Sequence, residues 1–198
     1  MPTNTFMNLS KDKRLRILRA AKSEFSRVPL EKAVIANIVK EAKIPRGSFY
    51  QYFEDIEDLF KYLLDYLYGF DKYRFVKTLE KTDNDVYEAL KLNFANKVSS
   101  LEKEKNRQFR LNVMQTMMNF EKSETKDSAL KYSSEDYLEG HVLPLEMAET
   151  GTTNKLRDLV MMIGRNCISN YLLKMIGKEE AIEDYNQYID FLKLEFTK

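Results

Sequence analysis

Glycine and proline are scarce in this sequence: six and four among 198 residues. A sheet fold would need many more of both for its turns, whereas Lys, Glu, Leu, Met and Ala are plentiful, so the composition predicts an all-α chain. No apolar run approaches the roughly 18 residues of a membrane span, and MPTNTFMNLSKDKR lacks the uninterrupted apolar segment of a signal peptide, so the expected location is cytoplasmic. The one cysteine, Cys167, lies in the apolar context MMIGRNCISNYLL and reads as a buried helix residue with no partner for a disulfide within the chain. With one histidine, no paired-histidine metal spacing and no glycine-rich phosphate loop, there is no convincing catalytic set; neither an enzyme nor a cofactor or metal is expected.

Net charge is also nearly absent, at +1, but it is unevenly spread. Residues 1–53 hold eleven Lys or Arg against four acidic residues, a net +7, which leaves −6 for the rest of the chain. A basic N-terminal end on a mildly acidic remainder points to a polyanion-binding head. The chain is long enough, and at 43% hydrophobic rich enough, to bury a real core.

Helical periodicity runs through the head. Leu15, Leu18, Ala21 and Phe25 recur at steps of three and four after Ser10, a candidate cap, and Pro29 ends this helix. A shorter pattern follows at Ile35, Ile38, Val39 and Ala42 and stops at Lys43-Ile44-Pro45, where Pro45 suits the first turn of a new helix. Asp55 is placed to cap the next one, in which Leu59, Leu63 and Leu67 form a stripe. Further helices are predicted from TDND at 82–85, after a break at Lys105-Asn106, over 128–148 with Pro144, over 154–176 between breaks at Gly151-Thr152-Thr153 and Gly177, and at the C-terminal end with Ile182, Tyr185, Ile189, Leu192 and Phe196 on one face. About nine helices result.

The stretch IPRGSFYQYF at 44–53 carries chemistry that core packing does not require. Two short helices joined by a tight turn make a helix-turn-helix, whose second helix fits the major groove. There Arg46 can pair with guanine or phosphate, Gly47 and Ser48 permit close approach, Gln51 can reach an adenine edge, and Tyr50 and Tyr52 can donate to phosphates, while Ile44, Phe49 and Phe53 turn inward.

VIANIVKEAKIPRGSFYQYFEDIEDLF resembles the helix-turn-helix of the TetR family of bacterial transcriptional regulators, and RILRAAKSEFSR resembles that family's first helix, together covering roughly residues 10–62. The chain departs from the family pattern at Lys43, where a turn glycine is common, at Ala33 and Val34, where a threonine often opens the second helix, and at Ile56, where a lysine is common. The resemblance implies a head over 8–60, a helical effector-binding and dimerisation body over 61–198, a double-stranded operator with an inverted repeat, and a repressor released by a small, largely apolar effector. The alternative is a helical interaction protein whose degenerate head no longer reads DNA.

For the body, the resemblance implies a homodimer through 154–196; the stripes at Leu156, Leu159, Ile163, Cys167 and Tyr171 and on the last helix either pair with their copies or pack within the chain. Phe94, Phe109, Val113, Met114 and Met117 form a Met- and Phe-rich region that fits ordinary core packing or an irregular apolar pocket, and in a pocket His141, near Tyr137 and Glu146, would be a polar handle.

Overall fold

The computed structural model describes residues 2–122 and 151–196, and these form nine α-helices and one short 3-10 turn, with no strand among them. The described helices are α1 (Asn4–Met7), α2 (Lys11–Arg27), α3 (Ile35–Ala42), α4 (Arg46–Tyr52), α5 (Ile56–Lys81), α6 (Val86–Ser100), α7 (Glu104–Lys122), α8 (Gly151–Leu172) and α9 (Lys178–Phe196), with the 3-10 turn at Leu30–Lys32. The chain divides into two compact units, and α5 runs from the first, which extends to Tyr68, into the second, which begins at Gly69.

In the first unit, local chemistry sets the helix ends. Ser10 Oγ accepts from the Lys13 N–H, a long contact of 3.4 Å, and Asp55 accepts from the Asp58 N–H at 2.7 Å, each at the predicted cap. Between α3 and α4 the turn is three residues long, and Lys43 closes α3 in the left-handed conformation, φ 52° and ψ 52°, donating its N–H to the carbonyls of Val39 and Lys40. Ile17, Leu18, Ala21, Phe25, Ile38, Phe49, Phe53, Leu59, Phe60 and Leu63 form the core, with the rings of Phe25 and Phe60 edge to face at 5.0 Å.

Helix α7 belongs to this unit and packs on α2. Its buried Phe109 and Val113 supply apolar area, and two buried polar residues beside them supply direction. Asn112 donates to the carbonyls of Phe25 and Ser26 at 2.9 and 3.1 Å, and Thr116 Oγ1 accepts from the Leu30 N–H at 3.2 Å. These contacts satisfy backbone groups where α2 ends and the 3-10 turn begins, positions at which a helix leaves carbonyls without internal partners.

In the second unit, α9 packs on both α6 and α8. Asp85 caps α6 by accepting from the N–H groups of Tyr87 and Glu88 at 2.9 and 3.1 Å, and its other oxygen meets Lys193 Nζ of α9 at 2.9 Å. Phe94 and Tyr185 stack in parallel, centroids 3.9 Å apart. Gly164 of α8 lies beside that tyrosine, and a Cβ there would meet its ring at 3.4 Å, about van der Waals contact. Cys167 is buried, as its apolar context predicted.

Three boundaries differ from the sequence expectation. The break expected at Lys105-Asn106 falls at 101–103. Helix α8 starts at Gly151 instead of breaking there, and it ends at Leu172, short of the predicted 176. Lys174, not Gly177, takes the left-handed conformation at φ 60°, and the Met175 N–H returns to the Asn170 carbonyl. The predicted segment 128–148, with Pro144 and His141, lies outside the described residues.

Candidate nucleic-acid interface

Helix α4 is only seven residues long, so its neighbours must hold it in shape. At about 100° per residue, Arg46, Tyr50, Gly47 and Gln51 fall in one arc, and all four are exposed, Tyr50 by 52%. Phe49 and Tyr52 fall on the opposite side and are buried, with Ser48 half-buried between the two faces. Four of the six residues expected to face DNA therefore share one solvent-facing surface. Tyr52 is turned into the head, where its ring lies 6.0 Å from Phe6 and Lys13 Nζ sits 5.7 Å above it. Lys32, Lys40 and Lys43 are exposed near the same end of the unit's sequence and keep that segment basic.

The N-terminal residues, absent from the expected head, close the far end of α4. Thr3 Oγ1 donates to the Gln51 carbonyl at 2.6 Å and the Thr3 N–H donates to the Tyr52 carbonyl at 3.0 Å. Both are last-turn carbonyls, which no N–H within the helix can reach. Phe6 is fully buried against Phe53 and Tyr62, with centroids at 4.7 and 5.3 Å, and Arg14 donates to the Met7 carbonyl. A sequence signal was present, since Thr3 is a cap residue ahead of an apolar position, but a four-residue helix is too short for periodicity to register.

The start of α3 is held from another helix. Its N-cap residue, Val34, has no side-chain acceptor, as the sequence implied. Glu24 of α2 takes that place. Its Oε1 accepts from the Val34 N–H at 2.9 Å and from Asn37 Nδ2 at 3.1 Å, while Arg27 binds both oxygens, at 2.9 Å through Nε and 2.6 Å through Nη2. Glu24 is 4% exposed. Burial alone would push its pKa up, but the hydrogen bonds from Arg27, Val34 and Asn37 and the charge of Arg27 outweigh it and hold the carboxyl below its ordinary value. Glu24 in turn raises the Arg27 pKa.

The residues expected to bind an effector are divided between units. Phe94 is in the second, stacked on Tyr185. Phe109, Val113, Met114 and Met117 are in the first: Phe109 and Val113 are buried where α7 meets the head, and Met114 and Met117 remain half-exposed on the same helix. No group of three or more His, Cys, Asp or Glu among the described residues is placed to hold a metal ion. No described helix is long and apolar enough to cross a membrane.

Comparison with known proteins gives a family match at the head. Residues 17–63 match the family model described as bacterial regulatory proteins, tetR family. A crystal structure of a TetR family transcriptional regulator from Chloroflexus aurantiacus J-10-FL is similar over 98% of this chain and 98% of that one, at 22% identity and a TM-score of 0.46. No curated protein matches.

Proposed function

We propose, from the premise that residues 17–63 are the N-terminal domain of the tetR family of bacterial regulatory proteins, that this chain is a dimeric, ligand-responsive transcriptional regulator that represses by occupying its operator. The observation that carries the proposal is the exposed arc of Arg46, Gly47, Tyr50 and Gln51 on a short helix anchored by Phe49, Tyr52 and Phe53. Base-edge donors and acceptors on one face and a locked aromatic core on the other are what a major-groove reading helix needs. Arg46 reads guanine or holds phosphate, Gln51 reads adenine, Tyr50 donates to phosphate, and Gly47 and Ser48 keep the approach close. Tyr52, buried, serves by holding the helix.

In this reading residues 8–60 bind DNA and 61–198 bind the effector and the second subunit, in the cytoplasm. The second subunit is met through 154–196. Within the chain Tyr185, Ile189 and Leu192 are already buried, so the partner would cover Tyr188, Phe191 and Leu194, spaced three apart on α9 and exposed by 52%, 63% and 69%. Residues Met114 and Met117 supply apolar, adaptable surface for a small apolar effector. The effector must bind the releasing state better than the DNA-bound state to act as a switch.

Selection from a random duplex library with the purified protein tests the reading. An enriched inverted repeat is the expected result, and sequence-blind binding by a folded protein would remove it. Against the enriched duplex, Arg46→Ala should weaken binding and lose discrimination at one position, by about 1–3 kcal/mol if it reads guanine, whereas Tyr50→Phe should weaken all sequences alike.

A further inference from the structure

We infer that Glu24 is the missing half of the α3 cap and, through it, a positioning residue of the DNA-reading head; the second part rests on the function proposed above. In a local capping box the N-cap side chain accepts from the amide three residues on, and a Glu or Gln at that third position reaches back to the N-cap N–H. Here neither half is available in sequence: Val34 has no side-chain acceptor, and the third position is Asn37, one methylene shorter than Gln. Glu24, ten residues upstream on α2, accepts from the Val34 N–H at 2.9 Å, and Asn37 turns its amide to the same carboxylate at 3.1 and 3.2 Å.

Geometry makes this more than a local repair. Helix α3 is eight residues long and is followed after a three-residue turn by α4, so the direction of α3 at its start sets where the exposed arc of α4 points. Two side-chain contacts from α7 near that start, Asn112 on the Phe25 and Ser26 carbonyls and Thr116 on the Leu30 N–H, lie upstream of Val34. Among these contacts, the Glu24 carboxylate is the one that reaches the first turn of α3 itself. A buried acid at a core-facing place on α2 is costly unless paired, and this one accepts from three separate groups, which fits a role that an apolar residue would not fill.

The test moves the cap back into the local sequence. Glu24→Ala should lower amide hydrogen-exchange protection over residues 34–37 by about tenfold and weaken binding to the duplex enriched by the unaltered protein by a similar factor, with α9 amides unchanged. The triple variant E24A/V34T/N37Q, which installs a T-x-x-Q box without adding charge, should restore both. Unchanged protection in E24A, or no rescue in the triple variant, overturns the cap. Protection lost and rescued while affinity stays constant overturns the positioning role. If E24A does not fold, Glu24 is removed in the V34T/N37Q background, where folding is the expected rescue and failure to fold overturns the inference. If the unaltered protein enriches no duplex, the regulator reading has failed and with it the positioning role; exchange then decides the cap alone, by the same two outcomes.

Discussion

Lys43 holds a backbone conformation that an L-residue with a Cβ adopts at a cost of about 1 kcal/mol, because the turn between α3 and α4 requires φ near 52° there. Lys43→Gly should therefore raise the stability of the head by about 1 kcal/mol in denaturant titration; a loss of stability would show that the lysine side chain contributes more than its backbone costs. The position was marked in the sequence by the resemblance, since a turn glycine is common in the family where this chain has Lys43. Glu24 was not legible in the same way. Arg27 shares its helix, but Val34 and Asn37 lie at the start of the next α-helix, and a charged residue on a basic helix reads as solvated until the fold brings Val34 to it. Its lowered pKa has a definite sign: the stabilisation it gives is complete above the ordinary carboxylate range and is lost as pH falls through the lowered folded value. The stability gap between the unaltered protein and Glu24→Gln should thus be widest near neutral pH and shrink in acid. A gap that does not change with pH would mean that the charge of Glu24 contributes nothing.

Among the helices, the amphipathic ones were read most easily. Ile38, Leu59 and Leu63 lie inward as their spacing predicts, and each is buried, while Leu67 of the same stripe is half-buried. What spacing could not show is which helix an apolar face packs on. Helix α7, whose Phe109 and Val113 were grouped with Phe94 by composition, packs on α2 in the first unit, while Phe94 is in the second. Its polar residues carry the clearest consequence. Asn112→Ala would leave the Phe25 and Ser26 carbonyls without their buried donor and should cost about 2 kcal/mol, read as a lower midpoint of head unfolding. Asn112→Asp, which keeps the size but removes the donor, should cost at least as much. Helix α1 makes a second case, since its one buried side chain, Phe6, seals the end of α4. Phe6→Ala should destabilise the head by about 3 kcal/mol and raise exchange at the α4 amides. Wild-type exchange over α4 in that variant would show the N-terminal residues to be an ornament on a self-sufficient helix.

At the scale of the molecule, the division of charge was visible in the sequence, because a basic stretch can be counted, whereas the return of α7 to the first unit depends on contacts far apart in the chain. The charge has a measurable consequence for the proposed function. Binding to a duplex should weaken as salt rises, and removal of one phosphate-contacting lysine or arginine should reduce the slope of log affinity against log salt by about one. The proposed dimer has its own test, since Phe191→Arg places a charge on a surface already exposed by 63% and should leave the fold intact while moving sedimentation from dimer toward monomer. A variant that sediments as the parent does would place the partner surface elsewhere. The lone thiol extends these measurements in time. Cys167 is almost wholly enclosed in the second unit, and burial, with Asp184 near it, lifts its pKa, so a thiol reagent can modify it only when that unit opens. The first unit contains no cysteine, and the rate of labelling is therefore a clock for one half of the molecule that an event confined to the other half leaves running at its own pace.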